Sequence, residues 1–367
     1  MAPPSRATLK DVARRAGVSP AAVSVVLSDK RDGSVRVGRS TASRVRAAVR
    51  QLRYVPNPVA RSLARGRTSF IGVFTYEPIF PLEHRDFFYP FLVGVEEAAA
   101  RLGYDLLLFA GSAAGGGRRR IYQDGVNRLQ LADGAILLGR RERKSDLRRL
   151  SAEHFPFVYV GRREVPGTKI SYVAPDYESA TDDVVARLAA FGHHRIGYLG
   201  APDPHEPAQD RETGYRRART RLGLSAGRNL VQRNARVSSS TVSGLVSAGV
   251  TACVVEDDTL ARQLESAARA AGKRIPEDFS FVVLGEPLNP TDGQPDWAHF
   301  SIPRKEIGER AAGLLVEMVS SSGRLAVRQE IMRCAFVPGR TVAPPPPAAS
   351  GRRKPEGRSK REGMSLR

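Results

Sequence analysis

From Ser19 to Ser28 the chain reads SPAAVSVVLS, with apolar residues recurring at three- and four-residue spacing. A helix over this stretch turns Val23, Val26 and Leu27 inward and leaves Pro20, Ala21, Ser24 and Val25 outward, with Ala22 beside them. That face carries no acid, base, nucleophile or metal ligand. Its chemistry is contact. Ala21 and Val25 suit the methyl group of thymine, and the hydroxyls of Ser19 and Ser24 suit phosphate oxygens, with Ser28 polar nearby. Arginine and asparagine, which read bases through paired hydrogen bonds, are missing from it.

Such a face needs elements to aim it. Thr8 is placed to cap a helix over LKDVARRA, with Asp11 three residues on to reach back. Leu9, Val12, Ala13 and Ala16 share one side of that helix, and Gly17 is fit to end it in a left-handed turn. Ser19 then caps the second helix, with Pro20 at its first position, where a missing N–H costs nothing. Two helices this short need a third. Residues 40–52 supply it through Val45, Ala48, Val49 and Leu52. The unit is a helix-turn-helix whose second helix is shaped for the major groove of DNA.

The charge agrees. Residues 1–67 hold 15 Lys and Arg against 3 Asp and Glu, and residues 351–367 hold 7 against 2, within a chain of net charge +20. A nearly neutral body with basic ends fits nucleic acid. The head lacks the broad apolar face of a membrane-surface helix. MAPPSRATLK is no signal peptide and no stretch approaches a membrane span, so a cytoplasmic protein is expected. Cys253 and Cys334 suggest neither a disulfide nor a zinc site, and adjacent His193 and His194 point to opposite sides of a turn. Gly111, Gly116 and Gly117 lack the Lys-Ser/Thr of a phosphate loop. With no catalytic constellation to assemble, an enzyme is not expected, and neither is a cofactor or a metal.

After a basic connection over 28–39 and the third helix comes YVPNPVARSLARGRTS. There Asn57-Pro58 starts a marginal helix whose one large apolar residue, Leu63, stands among Arg61, Arg65 and Arg67. From residue 70 apolar strands alternate with helices. Strands are predicted over 70–76, 104–111, 134–139, 157–161, 195–201, 251–256, 279–286 and 329–338. Helices are predicted over 90–103, 121–132, 146–154, 177–192, 211–223, 258–272 and 307–320. Continuous apolar strands between amphipathic helices imply parallel sheets covered on both faces. Two such runs imply two doubly wound α/β lobes, with a cleft at the carboxyl ends of their strands.

ATLKDVARRAGVSPAAVSVVLS followed by YVPNPVARSLARGRTSFIGV resembles the lactose-repressor/galactose-repressor (LacI/GalR) family of bacterial transcription regulators. DFFYPFLVGVEEAAARLGY, GHHRIGYLGAP, DRETGYRRA, EDDTLA and RIPEDFS extend the likeness to about residue 340. The resemblance implies an all-α helix-turn-helix head on a periplasmic-binding-protein-like body of two lobes. It implies a homodimer on near-palindromic operator DNA, and a sugar-like or anionic small-molecule effector in the cleft. The expected organisation is a DNA-binding head over 1–56, a hinge over 57–67, an effector-binding and dimerisation body over 68–342, and a disordered tail over 343–367. Thr8, Ser19, Pro20, Ala21, Ala22, Ser24, Val25, Ser28, Asn57, Arg61 and Leu63 are the implied DNA contacts, with Leu63 wedging into the minor groove. Phe87, Phe88, Asp176, Arg211, Asp257 and Glu286 are the implied effector contacts.

The chain departs from the family pattern in places. Arg85-Asp86 stand where the family has Asn-Pro, Tyr177 replaces an Asn, and Gly285-Glu286 replace paired aspartates, removing one sugar-hydroxyl acceptor. A second reading, a sugar-binding-like α/β protein whose basic head only tethers it to nucleic acid, differs in lacking sequence preference.

Overall fold

The computed structural model describes residues 7–27, 37–55, 67–77, 85–111, 119–140, 142–202, 205–224, 230–234, 236–287, 296–321 and 326–347, with Arg85 and Asp86 by backbone alone. The chain divides into two compact units. One is residues 1–70 with 131–133, and the other is 71–130 with 134–367.

In the first unit, α1 (Leu9–Ala16), α2 (Pro20–Leu27) and α3 (Arg39–Gln51) close on Val12, Ala13, Ala16, Val23, Val45, Ala48 and Tyr54. The reciprocal cap expected at α1 is present. The Asp11 N–H donates to Thr8 Oγ1 at 3.3 Å, and the Thr8 N–H donates to Asp11 Oδ2 at 3.0 Å. Gly17 ends the helix at φ 65°, a left-handed backbone that a β-carbon would strain. The Val18 N–H then reaches back to Ala13 O at 3.1 Å. Ser19 Oγ accepts the Ala22 N–H at 3.2 Å and so caps α2.

The second unit is built on two six-stranded sheets. The first has the order β13-β7-β6-β5-β1-β2: β1 (Phe70–Thr75), β2 (Asp105–Phe109), β5 (Gly134–Leu138), β6 (Phe157–Val160), β7 (Tyr172–Pro175) and β13 (Gln329–Met332). The ladders of β1 with β5, β5 with β6, β6 with β7 and β7 with β13 are all parallel. The second has the order β14-β12-β11-β10-β8-β9: β8 (Ile196–Gly200), β9 (Val231–Arg233), β10 (Ala252–Val255), β11 (Ser280–Val283), β12 (His299–Ser301) and β14 (Ala335–Val337). It is parallel except for antiparallel β14 on β12. Strands β5, β8, β10 and β11 are buried at every residue, which is why they read as unbroken apolar runs.

Helices α4 (Arg85–Leu102), α5 (Lys144–Ala152) and α10 (Arg304–Ser320) belong to the first lobe. Helices α6 (Tyr177–Ala190), α7 (Glu206–Arg221), α8 (Ser239–Ser247) and α9 (Asp258–Ala270) belong to the second. α4 and α10 cross closely because Gly94 lies against the Lys305 carbonyl and Gly308 against the Phe91 carbonyl. The chain passes between lobes at Asp176, at Ile302–Pro303 and at Arg333–Cys334.

Several expectations are corrected. Residues 121–132 are not a helix. Tyr122–Gln123 (β3) and Val126–Asn127 (β4) form a hairpin across Asp124-Gly125, both at positive φ, and a 3₁₀ turn follows over Arg128–Leu131. Asp-Gly is a hairpin-turn pair, and it overrides the weak helical spacing around it. The final strand over 329–338 is two strands in different sheets, because Arg333–Cys334 is a crossing between lobes. α4 begins at Arg85, ahead of the expected Pro90, which sits inside it. Strands β7, β9 and β12 and helix α8 were not foreseen. Each strand has three or four residues, and α8 hides in the Ser-rich SSTVSGLVS behind a Ser238–Thr241 capping box.

Candidate functional site

α2 is the candidate nucleic-acid surface. Pro20, Ala21 and Ser24 are exposed, Ala22 and Val25 are partly buried, and Val23 is fully buried against α1 and α3. The helix has no acidic residue in its first turn and no basic residue in its last. Lys10, Arg14, Arg15, Arg39, Arg44, Arg46, Arg50 and Arg53 are exposed in the same unit. The acid nearest the start of α1, Asp11, is held below the usual carboxylate range by the Thr8 hydroxyl and N–H, with Arg14 3.5 Å away. Thr8 is thus engaged in the cap. Ser28, Asn57, Arg61 and Leu63 lie outside the described residues.

The candidate effector site is the cleft between the lobes of the second unit. Arg211, near the start of α7, donates from Nε to Leu284 O at 2.8 Å and from Nη1 to Pro207 O at 3.1 Å. Its guanidinium lies 3.8 Å above the ring of Tyr177. Asp176 caps α6 through the Ser179 N–H at 2.9 Å, and Asp257 caps α9 through the Leu260 N–H at 2.8 Å. Phe87 meets Phe88 edge-on at 5.0 Å, and Phe88 is only 3% exposed. Glu286 accepts the Ile302 N–H at 3.2 Å and forms an ion pair with Arg304. Arg211, Tyr177, Glu286 and Phe87 therefore gather at the crossings, while the carboxylates of Asp176 and Asp257 cap helices.

Residues that sequence reasoning passed over complete the cleft. Arg304, the first residue of α10, is 6% exposed and lies 5.6 Å from the Phe87 ring. Burial, and then Arg211, lower its pKa. At the mouth, Arg162 at the end of β6 pairs with Asp210 of α7 at 2.6 Å across the lobes. Lys144 and the Glu164 N–H both reach Glu206 Oε1, at 3.2 and 3.4 Å. Buried Arg163 pairs with Glu142 at 2.8 Å. Burial, then Arg140, Arg211 and Arg163, push His205 down to about 4. Burial pushes the Cys334 thiol up to about 12. A signal did exist. The charges at 140–144 and 162–164 each follow a strand's carboxyl end, where ligands of α/β sheets bind. Among the described residues no group of three His, Cys, Asp or Glu is arranged to hold a metal. None of their helices is long and apolar enough to cross a membrane.

Comparison with known proteins places these units. Residues 8–57 match the family described as bacterial regulatory proteins, lacI family, and residues 185–342 match the periplasmic binding protein-like domain. The HTH-type transcriptional regulator CelR of Thermobifida fusca is 28% identical over 88% of this chain and 95% of its own length. The HTH-type transcriptional repressor CytR of Escherichia coli is 28% identical over 90% and 95%. Among solved structures, the lac repressor dimer bound to operator and the anti-inducer ONPF superposes with a TM-score of 0.66 at 21% identity, over 92% of this chain and all of that one. The CelR–cellobiose complex superposes with a TM-score of 0.61 at 23% identity and the same coverage. At these identities the two structures bear on the fold.

Proposed function

The chain belongs to the lacI family of bacterial regulatory proteins and is a DNA-binding transcription regulator, and on that premise we propose that it is a cytoplasmic, non-enzymatic repressor that grips operator DNA as a homodimer. Each head lays α2 in the major groove of one half-site. The observation that carries this reading is α2 itself. Its capped N-terminus at Ser19 and its exposed Pro20, Ala21 and Ser24 stand on a core closed by Val12, Val23 and Val45. Thr8, Ala22 and Val25 are proposed to add to that contact. Ser28, Asn57, Arg61 and Leu63, outside the described residues, complete the proposed contact, with Leu63 as the wedge that opens a central base step.

The cleft supports the second half of the proposal. CelR has been solved with cellobiose and the lac repressor with an anti-inducer. By analogy, a sugar-sized molecule enters between the lobes here, against Phe87, Phe88, Asp176, Arg211, Asp257 and Glu286. A ligand touching both lobes stabilises one of their arrangements, and operator affinity shifts by that difference. Selection of genomic fragments on the full chain, repeated with a metabolite panel, tests both halves. The expected result is a shared near-palindromic site whose recovery changes with one metabolite class. Fragments without a common site would contradict the regulator and leave a basic tether.

A further inference from the structure

Two guanidiniums of the cleft, Arg211 and Arg304, have hydrogen-bonding capacity that its latches leave unused. Lys144, Arg162, Arg163 and Arg304 each face a carboxylate: Glu206, Asp210, Glu142 and Glu286 respectively. Arg211 has neutral acceptors instead, the carbonyls of Leu284 and Pro207. Its remaining Nη2 lies toward Gly285, which offers no side chain. Gly285 adjoins Glu286, the partner of Arg304, so the two guanidiniums converge on one dipeptide. Arg304 is 6% exposed, and among the described residues its Nε has no hydrogen-bond partner. Its single carboxylate partner keeps 28% of its side chain exposed. A guanidinium so desolvated calls for a second acceptor. His205 nearby is depressed first by burial and then by Arg140, Arg211 and Arg163. Each guanidinium faces an aromatic ring, Arg211 over Tyr177 and Arg304 over Phe87.

We propose that Arg211 and Arg304 form an anion subsite in the cleft, which takes the carboxylate or phosphate of a small ligand, and that Glu286 occupies Arg304 until that group displaces it. The proposal rests on the effector reading of the cleft and names the ligand class. An anion there gains charge-assisted hydrogen bonds from two forked donors in a largely dry site. A neutral sugar leaves Arg211 without a charged partner.

The test is calorimetric titration of the full chain with glucose, glucose 6-phosphate and gluconate at matched ionic strength. The subsite requires that at least one anion bind saturably and about tenfold or more tighter than glucose. Which of the two does so separates phosphate from carboxylate. Arg304→Leu should erase the preference. Glu286→Gln, which removes the internal competitor, should strengthen anion binding several-fold, and an opposite sign in these two variants excludes misfolding as the cause. Glucose binding as tightly as both anions, no saturable heat from either anion, or a preference that survives Arg304→Leu would overturn the proposal. Operator gel shifts on the same samples separate the two readings. Saturable anion binding that leaves operator affinity unchanged keeps the subsite and removes the effector role.

Discussion

Ala21 and Val25 present methyl groups where a base-reading helix often presents amides or guanidiniums. Burying a thymine methyl under one of them contributes about 0.8 kcal/mol, or roughly fourfold in affinity. Replacing the half-site thymines with uracil removes those methyls alone, so each effective substitution should weaken binding about fourfold. Equal affinity for the uracil duplex would show that another element reads the bases. His205 carries a second expectation at this scale. Its pKa is lowered from 6.5 to about 4, so the unfolded chain takes up that proton first. Stability present above pH 6.5 is therefore lost as pH falls toward 4. Urea denaturation at pH 7.5 and 5.5 should show His205→Gln losing less stability than the parent, by on the order of 1 kcal/mol. The same loss in both would clear His205. Single residues were legible where their role is local: Thr8, Ser19 and Gly17 act on their own turns. Arg304 was not legible, because Glu286, Arg211 and Phe87 reach it from distant parts of the chain.

Among elements, α1, α2 and the buried strands β1, β5, β6, β8, β10 and β11 could be read because periodicity and caps agreed with burial. The hairpin over β3 and β4 was missed because a two-residue turn outweighed a helical spacing that had no cap. β13 and β14 merged because nothing in QEIMRCAFVP marks the passage from one sheet to the other. The closeness of α4 and α10 was equally hidden, since it depends on Gly94 and Gly308 meeting each other's backbones. Gly308→Ala should force that pair apart. A β-carbon against the Phe91 carbonyl must displace main chain, at a cost of about 1–3 kcal/mol. Chemical denaturation of the variant measures this, and unchanged stability would mean that the crossing has slack.

For the whole molecule, charge and architecture divide the labour. The basic head supplies affinity for any phosphate backbone, with steep salt dependence. The body, latched by Arg162–Asp210 and Lys144–Glu206, carries the cleft proposed to take a small molecule. The family likeness was legible from the head and the hinge-like segment alone, and the two sheets bear it out in the body. Neither sequence nor fold contains the operator. The most direct test of a regulator is therefore the affinity of the full chain for its selected site against random duplex of equal length, measured across a salt series. A sequence-reading repressor should hold a preference of about 10³-fold or more while both affinities fall with salt. A ratio near one at every salt concentration would contradict the account and leave a basic head that binds DNA without reading it.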